Sequence, residues 1–305
     1  MDANAAYLEI IDELKKHISG QKNALELMFI TIVANGHALL EGVPGVAKTT
    51  MTKALADTIN ADFNRVQGLP DITASDILGY TYQDEKGEAR FKKGPIFTNI
   101  LLIDELNRTP TKTMGSLLEA FEERQVTVEG GTIPLPIPFT AFATQNPLKI
   151  EGTDPIPKVL ADRFAVKIDV DYPSMSEEEA MLNLKEAESN EQFQAKKIIG
   201  IEDIISMQQA AKSIILPDGI KKYITKLVDG TRTDLHVIMG ASPRADLAFM
   251  HCGKARALVE GRKEVTADDI RFLAKPVLSH RIVVRSTGGI GVHGIIDGLI
   301  ASIPA

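Results

Sequence analysis

Residues 37–59 read H-A-L-L-E-G-V-P-G-V-A-K-T-T-M-T-K-A-L-A-D-T-I. The apolar start, residues 37–41, predicts a short buried strand, residues 42–46 predict a loop, and a helical pattern begins at Thr49. A helix that starts directly after such a loop offers unpaired backbone amides and the positive end of its dipole. Both features attract phosphate. The order strand, loop, helix therefore predicts a phosphate-binding loop in an α/β protein.

The loop is similar to the pattern G-x-x-x-x-G-K-[ST], with Gly42 at the first position and Ala47 where the last glycine is expected. Alanine fits there if its backbone is already helical, because only a positive φ would demand glycine. Lys48 should contact the β and γ oxygens of a nucleotide, and Thr49 should bind Mg²⁺. The structural alternative is a turn before a helix whose lysine faces solvent. The predicted nucleotide contacts in this stretch are Gly42, Val43, Pro44, Gly45, Val46, Ala47, Lys48, Thr49 and Thr50.

An acidic pair follows a second apolar run. Residues 100–105 read I-L-L-I-D-E, so Asp104 and Glu105 should lie at the end of a buried strand. Asp104 would bind Mg²⁺, and Glu105 would orient and polarise an attacking water. The alternative is an ordinary acidic pair that faces solvent. The joint occurrence of the loop and the pair favours the functional interpretation.

The rest of the first half alternates strands with helices. Helical patterns at residues 7–18 and 21–35 precede the first strand. Two insertions, residues 80–91 and 125–139, have turn residues at their centres and predict β-hairpins. The alternation predicts a parallel sheet covered on both faces, with ligands at the carboxyl ends of the strands. The predicted strands are residues 37–41, 62–67, 99–104, 139–144 and 164–170.

Composition changes after residues 169–173, and from there helical patterns dominate, with one strand candidate at residues 282–284. We therefore predict two domains, 1–172 and 173–305, the second a small helical bundle.

Three further polar residues stand at positions of interest. Asn146 ends an apolar strand at the same predicted sheet edge as the acidic pair, although Asn-Pro is also a common turn. Arg163 precedes the fifth strand. Arg244 falls in the first turn of a helix that Ser242 should cap, where the dipole disfavours a cation unless it meets an anion such as phosphate. For each arginine, the alternative is a surface salt bridge.

Composition sets broad limits. The 305 residues are 44% hydrophobic and 25% charged, as in ordinary globular proteins, and the net charge is -7. This acidity argues against a protein that coats nucleic acid. The single cysteine, Cys252, excludes an internal disulfide and suggests a reducing compartment. There is no run of about 18 apolar residues and no signal-peptide pattern, so we expect a cytoplasmic protein without membrane insertion.

Taken in order, these elements resemble AAA+ ATPases of the P-loop NTPase class and, more narrowly, the MoxR family. The resemblance extends from about residue 7 to about residue 285. The phrases that carry it are E-G-V-P-G-V-A-K-T (41–49), G-P-I-F-T-N (94–99), D-E-L-N-R (104–108), L-L-E-A-F-E-E (117–123), A-T-Q-N-P (143–147), E-G-T (151–153), A-D-R-F (161–164) and G-A-S-P-R (240–244).

The resemblance implies a three-layer α/β/α core with a parallel sheet, followed by a small all-α lid domain. It implies that Lys48 and Thr49 bind phosphate and metal, and that Gly20 and Gln21 cover the adenine. The remaining roles that it implies are Asp104 as metal ligand, Glu105 as catalytic base, Asn146 as first sensor, Arg244 as second sensor and Arg163 as the arginine finger that reaches a neighbouring subunit.

By the same resemblance, we expect ATP and Mg²⁺ as ligands and a homo-oligomeric ring, with six subunits as the expected number. The family is associated with chaperone-like remodelling or with metal and cofactor insertion, often with a partner that has a von Willebrand factor A (VWA) domain. Two alternatives remain open at this point. One is a nucleotide-dependent scaffold with negligible turnover, and the other is a nucleic-acid-associated motor.

Overall fold

The computed structural model describes residues 2–43, 45–146, 153–187, 194–285 and 291–304. The helices are α1 (Ala3–Lys15), α2 (Lys22–Val33), α3 (Lys48–Thr58), α4 (Ala74–Leu78), α5 (Thr111–Glu123), α6 (Lys158–Ala161), α7 (Met175–Ala187), α8 (Ile201–Ser213), α9 (Asp218–Thr233), α10 (Pro243–Val259), α11 (Ala267–Leu278) and α12 (Val292–Ser302). The strands are β1 (Ala38–Glu41), β2 (Phe63–Gln67), β3 (Gly79–Gln83), β4 (Ala89–Lys93), β5 (Ile100–Asp104), β6 (Gln125–Val128), β7 (Gly131–Pro134), β8 (Thr140–Gln145), β9 (Val166–Asp169), β10 (Val237–Met239) and β11 (Val283–Val284).

Five parallel strands form the central sheet in the order β2-β5-β8-β1-β9. All five correspond to predicted strands, with ends that differ by one or two residues. Ile100, Leu101, Leu102 and Ile103 are buried on alternating faces of β5, so both faces of the sheet are covered. This confirms the predicted α/β core. Because the strands are parallel, their carboxyl ends, including Glu41 and Asp104, lie along one edge.

The apolar core on one face of the sheet continues into the C-terminal helices. Helix α2 is buried around its whole circumference from Ala24 to Val33, because it lies between β9 and helices α8 and α10. Phe29 of α2 and Phe249 of α10 belong to the same buried cluster. The predicted division at Tyr172 therefore falls within a chain whose two parts share a continuous core.

The two predicted hairpins are confirmed as the antiparallel pairs β3–β4 and β6–β7. The second is closed by Glu129 and Gly130, which both have positive φ, at 49° and 82°. Such a two-residue loop matches the twist of a hairpin.

In its described residues, the second part is helical, as expected, except for one short antiparallel pair of strands. Strand β11 lies within the predicted strand candidate at residues 282–284, whereas β10 was not predicted. Strand β10 pairs antiparallel with β11. It has three residues, of which only Val237 is buried. A strand so short shows no period-2 pattern that sequence reasoning could detect. Along the described ranges, no helix is both long and apolar enough to cross a membrane.

Candidate functional site

The loop after β1 has a conformation that the sequence did not predict. Ala47 has φ 60° and ψ 20°, so the expectation of a helical backbone at this position is wrong. Gly45 is also left-handed, with φ 89°. Helix α3 begins at Lys48, directly after Ala47. The loop thus turns through two left-handed residues before the helix, and alanine occupies one of them at a cost of about 1–2 kcal/mol.

Close packing fixes the start of the loop, and Lys48 at its end bonds back to that start. A Cβ on Gly42 would lie 2.3 Å from the carbonyl oxygen of Val170, so glycine is required there. The Lys48 ammonium donates to the carbonyl oxygens of Gly42 and Val43, the second at 3.0 Å. Burial lowers the pKa of Lys48, although the carboxylates of Asp104 and Glu105 oppose this shift. A half-buried cation therefore lies directly under the loop. Pro44, one of the predicted contacts, lies outside the described residues.

Thr49 and Asp104 lie together, as predicted for a metal site. The Thr49 hydroxyl donates to Asp104 Oδ2 over 3.2 Å. Asp104 also accepts from Thr144 Oγ1 at 2.6 Å and from Arg65 Nη2 at 2.7 Å. A hydroxyl and a carboxylate are oxygen ligands of the type that Mg²⁺ prefers, and Mg²⁺ usually takes only one or two protein ligands. The donor set therefore fits a magnesium ion that is completed by water and phosphate.

Glu105 is held in an unusual conformation. Its backbone is left-handed, with φ 54° and ψ 49°, and its N–H donates to Thr144 Oγ1 over 2.8 Å. The side chain accepts from Gln67 at 3.2 Å and from Arg108 at 2.9 Å. Thr144 therefore links the two carboxylate residues, because its one hydroxyl contacts both.

Two adjoining cavities share the loop. One, of about 360 Å³, is lined by Lys48, both acidic residues and Asn146. The other, of about 460 Å³, lies between the loop and the chain around α2 and α7. Both are lined by Gly45, Val46, Ala47, Thr49 and Thr50. Further residues that line only the second cavity include His17, Ile18, Ser19, Gln21, Pro173, Glu177 and Met181.

The second cavity suits a flat, largely apolar group. Ile18, Pro173 and Met181 provide apolar surface, and Gln21 is fixed by a bond from its Nε2 to the carbonyl oxygen of Asp171 at 2.7 Å. Gly20, with φ 71°, lies beside the Glu177 carboxylate, and a Cβ there would come within 2.7 Å of it. A polar cavity beside an apolar one matches the two halves of a nucleotide.

Asn146 reaches the same edge of the sheet. It lines the polar cavity, and its backbone carbonyl accepts from Asn107 Nδ2 at 3.4 Å. The prediction that Asn146 would lie beside the acidic pair is therefore consistent with its position.

Arg163 and Arg244 lie together, but away from this loop. Arg163 precedes β9 and so lies where the strands begin, whereas the loop follows the end of β1. The four residues of β1 separate these edges by about 13 Å. Neither arginine lines either cavity. Arg244 does meet an anion, as predicted, but the anion is the Glu122 carboxylate.

Several residues of the site were missed by the sequence analysis. Gln67 stands directly beside Asp104 in the register of β2 and β5, and Thr144 lies one residue before the end of β8. Only the strand order β2-β5-β8 brings them to the acidic pair. Arg108 could have been proposed, because it lies three residues after Glu105 in a tight turn. Nothing in the sequence around Glu122, apart from its place in residues 117–123, predicted its contact with the two arginines.

Comparisons with known proteins agree with this geometry. Residues 37–166 match the family model described as "ATPase family associated with various cellular activities (AAA)", and residues 229–289 match an AAA lid domain. The chain is 39% identical to YeaC of Bacillus subtilis, over 96% of this chain and 92% of that protein. It is 38% identical to the chaperone MoxR1 of Mycobacterium tuberculosis, over 90% of this chain and 74% of that one. A crystal structure of a proposed ATPase from Cytophaga hutchinsonii superposes with a TM-score of 0.91 at 35% identity, covering 99% of this chain and 95% of that chain.

Proposed function

Because this chain belongs to the MoxR family of AAA+ ATPases, we propose that it is a Mg²⁺-dependent ATPase whose turnover drives the remodelling of a partner protein. The observation that carries the proposal is the hydrogen-bonded chain Thr49–Asp104–Thr144–Glu105 beside the loop. It brings a metal-ligand pair and a carboxylate base to one cavity, with the Lys48 cation on its wall.

Each group has a role in phosphoryl transfer to water. The loop amides and Lys48 bind the β and γ phosphates, and Thr49 and Asp104 hold Mg²⁺, which neutralises charge on the phosphate oxygens when it is bound. Glu105 orients the attacking water and accepts its proton. Asn146 lies where its side chain can contact the γ-phosphate or that water. Catalysis of this kind works mainly by positioning and charge stabilisation.

We further propose that Arg163 and Arg244 act on the nucleotide of a neighbouring subunit. Their position at the edge where the strands begin supports this, since they cannot reach the loop of their own subunit without a large movement. Val159 and Leu247 stand one helical turn from these arginines and are more than half exposed, at 58% and 53%. Arginine is enriched in protein interfaces, and a neighbouring subunit at this edge would cover the two apolar side chains. A ring of six subunits is the expected assembly.

We also propose that this ATPase acts on a client protein in the cell. A relative is named a chaperone, and this supports a client protein as the partner. More specifically, we propose that the protein inserts a metal or a cofactor into that client. A partner protein with a VWA domain would take part in this insertion. The net charge of -7 disfavours the nucleic-acid motor.

The test is phosphate release from ATP, measured over a range of protein concentrations with Mg²⁺ or with EDTA. We expect turnover per subunit to rise with concentration, because the arginines come from a second copy, and to cease in EDTA. Glu105→Gln serves as the inactive control. Tight ATP binding without turnover at any concentration would instead favour the scaffold, and constant turnover by a strict monomer would exclude a second subunit from catalysis.

A further inference from the structure

One carboxylate holds both arginines of the cluster. Arg244 Nη2 donates to Glu122 Oε1 at 2.7 Å and to Oε2 at 2.9 Å. Arg163 Nη2 approaches Glu122 Oε2 at 2.8 Å. Glu122 lies one residue before the end of α5. It therefore connects Arg163, just before β9, with Arg244, in the first turn of α10.

The three side chains keep the two arginines at one place on the surface. Two guanidinium groups repel each other at short range, and a carboxylate between them removes this repulsion. Arg163 is further fixed by a bond from Nη1 to the carbonyl oxygen of Val159 at 2.7 Å, and Arg244 by the capped start of α10. The cluster therefore presents two preorganised cations, each with N–H groups that Glu122 does not use.

The lid side of the cluster is fixed independently. Asp162 accepts from Ser242 Oγ at 2.7 Å and from the buried Arg281 guanidinium at 3.0 Å. Arg281 also donates to the carbonyl oxygen of Phe164 at 2.7 Å. These bonds hold the backbone on both sides of Arg163 without Glu122. Loss of Glu122 should therefore uncouple the two guanidinium groups from each other while the backbone that carries them stays in place. Among the described residues, Arg163 would keep only its bond to the carbonyl oxygen of Val159, and Arg244 would keep only Asp162, 3.8 Å from its Nε.

From this geometry we propose that Glu122 is a positioning residue that holds Arg163 and Arg244 as one unit for delivery to the nucleotide of a neighbouring subunit. The inference rests on the proposed function. It adds that the two cations act jointly, because one carboxylate sets the position of both. Glu122 itself touches neither the nucleotide nor the water, and its effect on catalysis passes entirely through the arginines.

The test is a mutant cycle. Glu122→Gln keeps the shape of the side chain but removes its charge and turns an amide donor toward the guanidinium groups. We expect kcat for ATP to fall about 10- to 100-fold, as for other misplaced catalytic groups, with KM for ATP within about twofold of the unmodified protein. Glu123→Gln is the matched control, because Glu123 is the neighbour of Glu122 on α5. In the described part of the chain, the Glu123 carboxylate accepts one hydrogen bond, from Gln125 Nε2 at 3.0 Å. It should leave kcat unchanged.

The decisive comparison adds Glu122→Gln to the double variant Arg163→Ala/Arg244→Ala. If Glu122 acts only through the arginines, the added change should alter the remaining rate by less than about twofold. An equal loss of kcat with and without the arginines, or full activity of Glu122→Gln, would overturn the inference. Failure of the proposed function looks different, because the arginine variants themselves would then hydrolyse ATP at the normal rate.

Discussion

Thr144 offers a sharp test of the site, because one hydroxyl serves both carboxylate residues. It is 1% exposed, donates to Asp104 Oδ1 at 2.6 Å and accepts from the Glu105 N–H at 2.8 Å. Thr144→Val preserves the shape of the side chain and removes both bonds. The change leaves the Glu105 amide without its partner and one Asp104 oxygen without its donor.

The expected cost follows from these two bonds. A bond to a charged group contributes about 1.5–3 kcal/mol, and a backbone N–H that loses its partner costs about 1 kcal/mol or more. Water can reach Asp104, whose side chain is 14% exposed, so the bond from Thr144 to Asp104 should contribute an amount near the lower end of its range. We therefore expect the free energy of unfolding to decrease by about 2–3 kcal/mol. The left-handed Glu105 also loses its anchor, so kcat should fall about 100-fold while KM for ATP changes little.

Urea unfolding and phosphate release measure the two effects. Thr140→Val is the matched control, since Thr140 lies on the same strand, is 0% exposed, and its hydroxyl has no partner among the residues that the structure describes. Replacing that hydroxyl by a methyl group should leave both stability and turnover unchanged, or raise the stability slightly. Equal unfolding midpoints and equal rates for the two variants would refute the assigned role of Thr144.

Three other predictions concern the same chemistry. Lys48→Ala should weaken ATP binding about 10- to 100-fold, because a charge-assisted contact to phosphate is lost; an unchanged dissociation constant in a titration would show that the loop binds something else. Glu105→Gln should bind ATP normally and hydrolyse it at least about 100-fold more slowly, and undiminished phosphate release would place the base elsewhere. Arg163→Ala should bind ATP but hydrolyse it about 10³-fold more slowly. In a mixture with Lys48→Ala, the intact nucleotide site of an Arg163→Ala subunit can receive Arg163 from a neighbouring Lys48→Ala subunit. The mixture should therefore hydrolyse ATP faster than either variant alone. No gain at any mixing ratio would contradict delivery between subunits.

The sequence predicted those parts of the fold that local patterns determine. Residues 100–103 form a fully apolar run, which a buried parallel strand requires, and the loop before Lys48 carries a known pattern. The capped start of α10 was also predicted correctly, with Ser242 as the N-cap. In each case, neighbours in the chain create the signal.

Contacts that depend on sheet order could not be predicted in this way. Thr144 meets Asp104 because β8 lies beside β5. In the chain, 35 residues lie between Asp104, where β5 ends, and Thr140, where β8 begins. Glu122 meets Arg244 across an even longer separation. The left-handed backbone of Ala47 was missed for another reason. Alanine gives no local sign of a positive φ, and the surrounding loop imposes it.

The opposite locations of the loop and the arginine cluster have a consequence for incomplete assemblies. If each catalytic centre draws cations from the next copy, an open row of subunits always leaves one terminal centre without them. A pair of copies joined in this manner has a single complete centre, and only closure of the row completes the last one. The activity per subunit should then depend on how many open ends the rows of subunits have. Fragments broken from a closed assembly should lose a larger fraction of this activity the fewer subunits they contain.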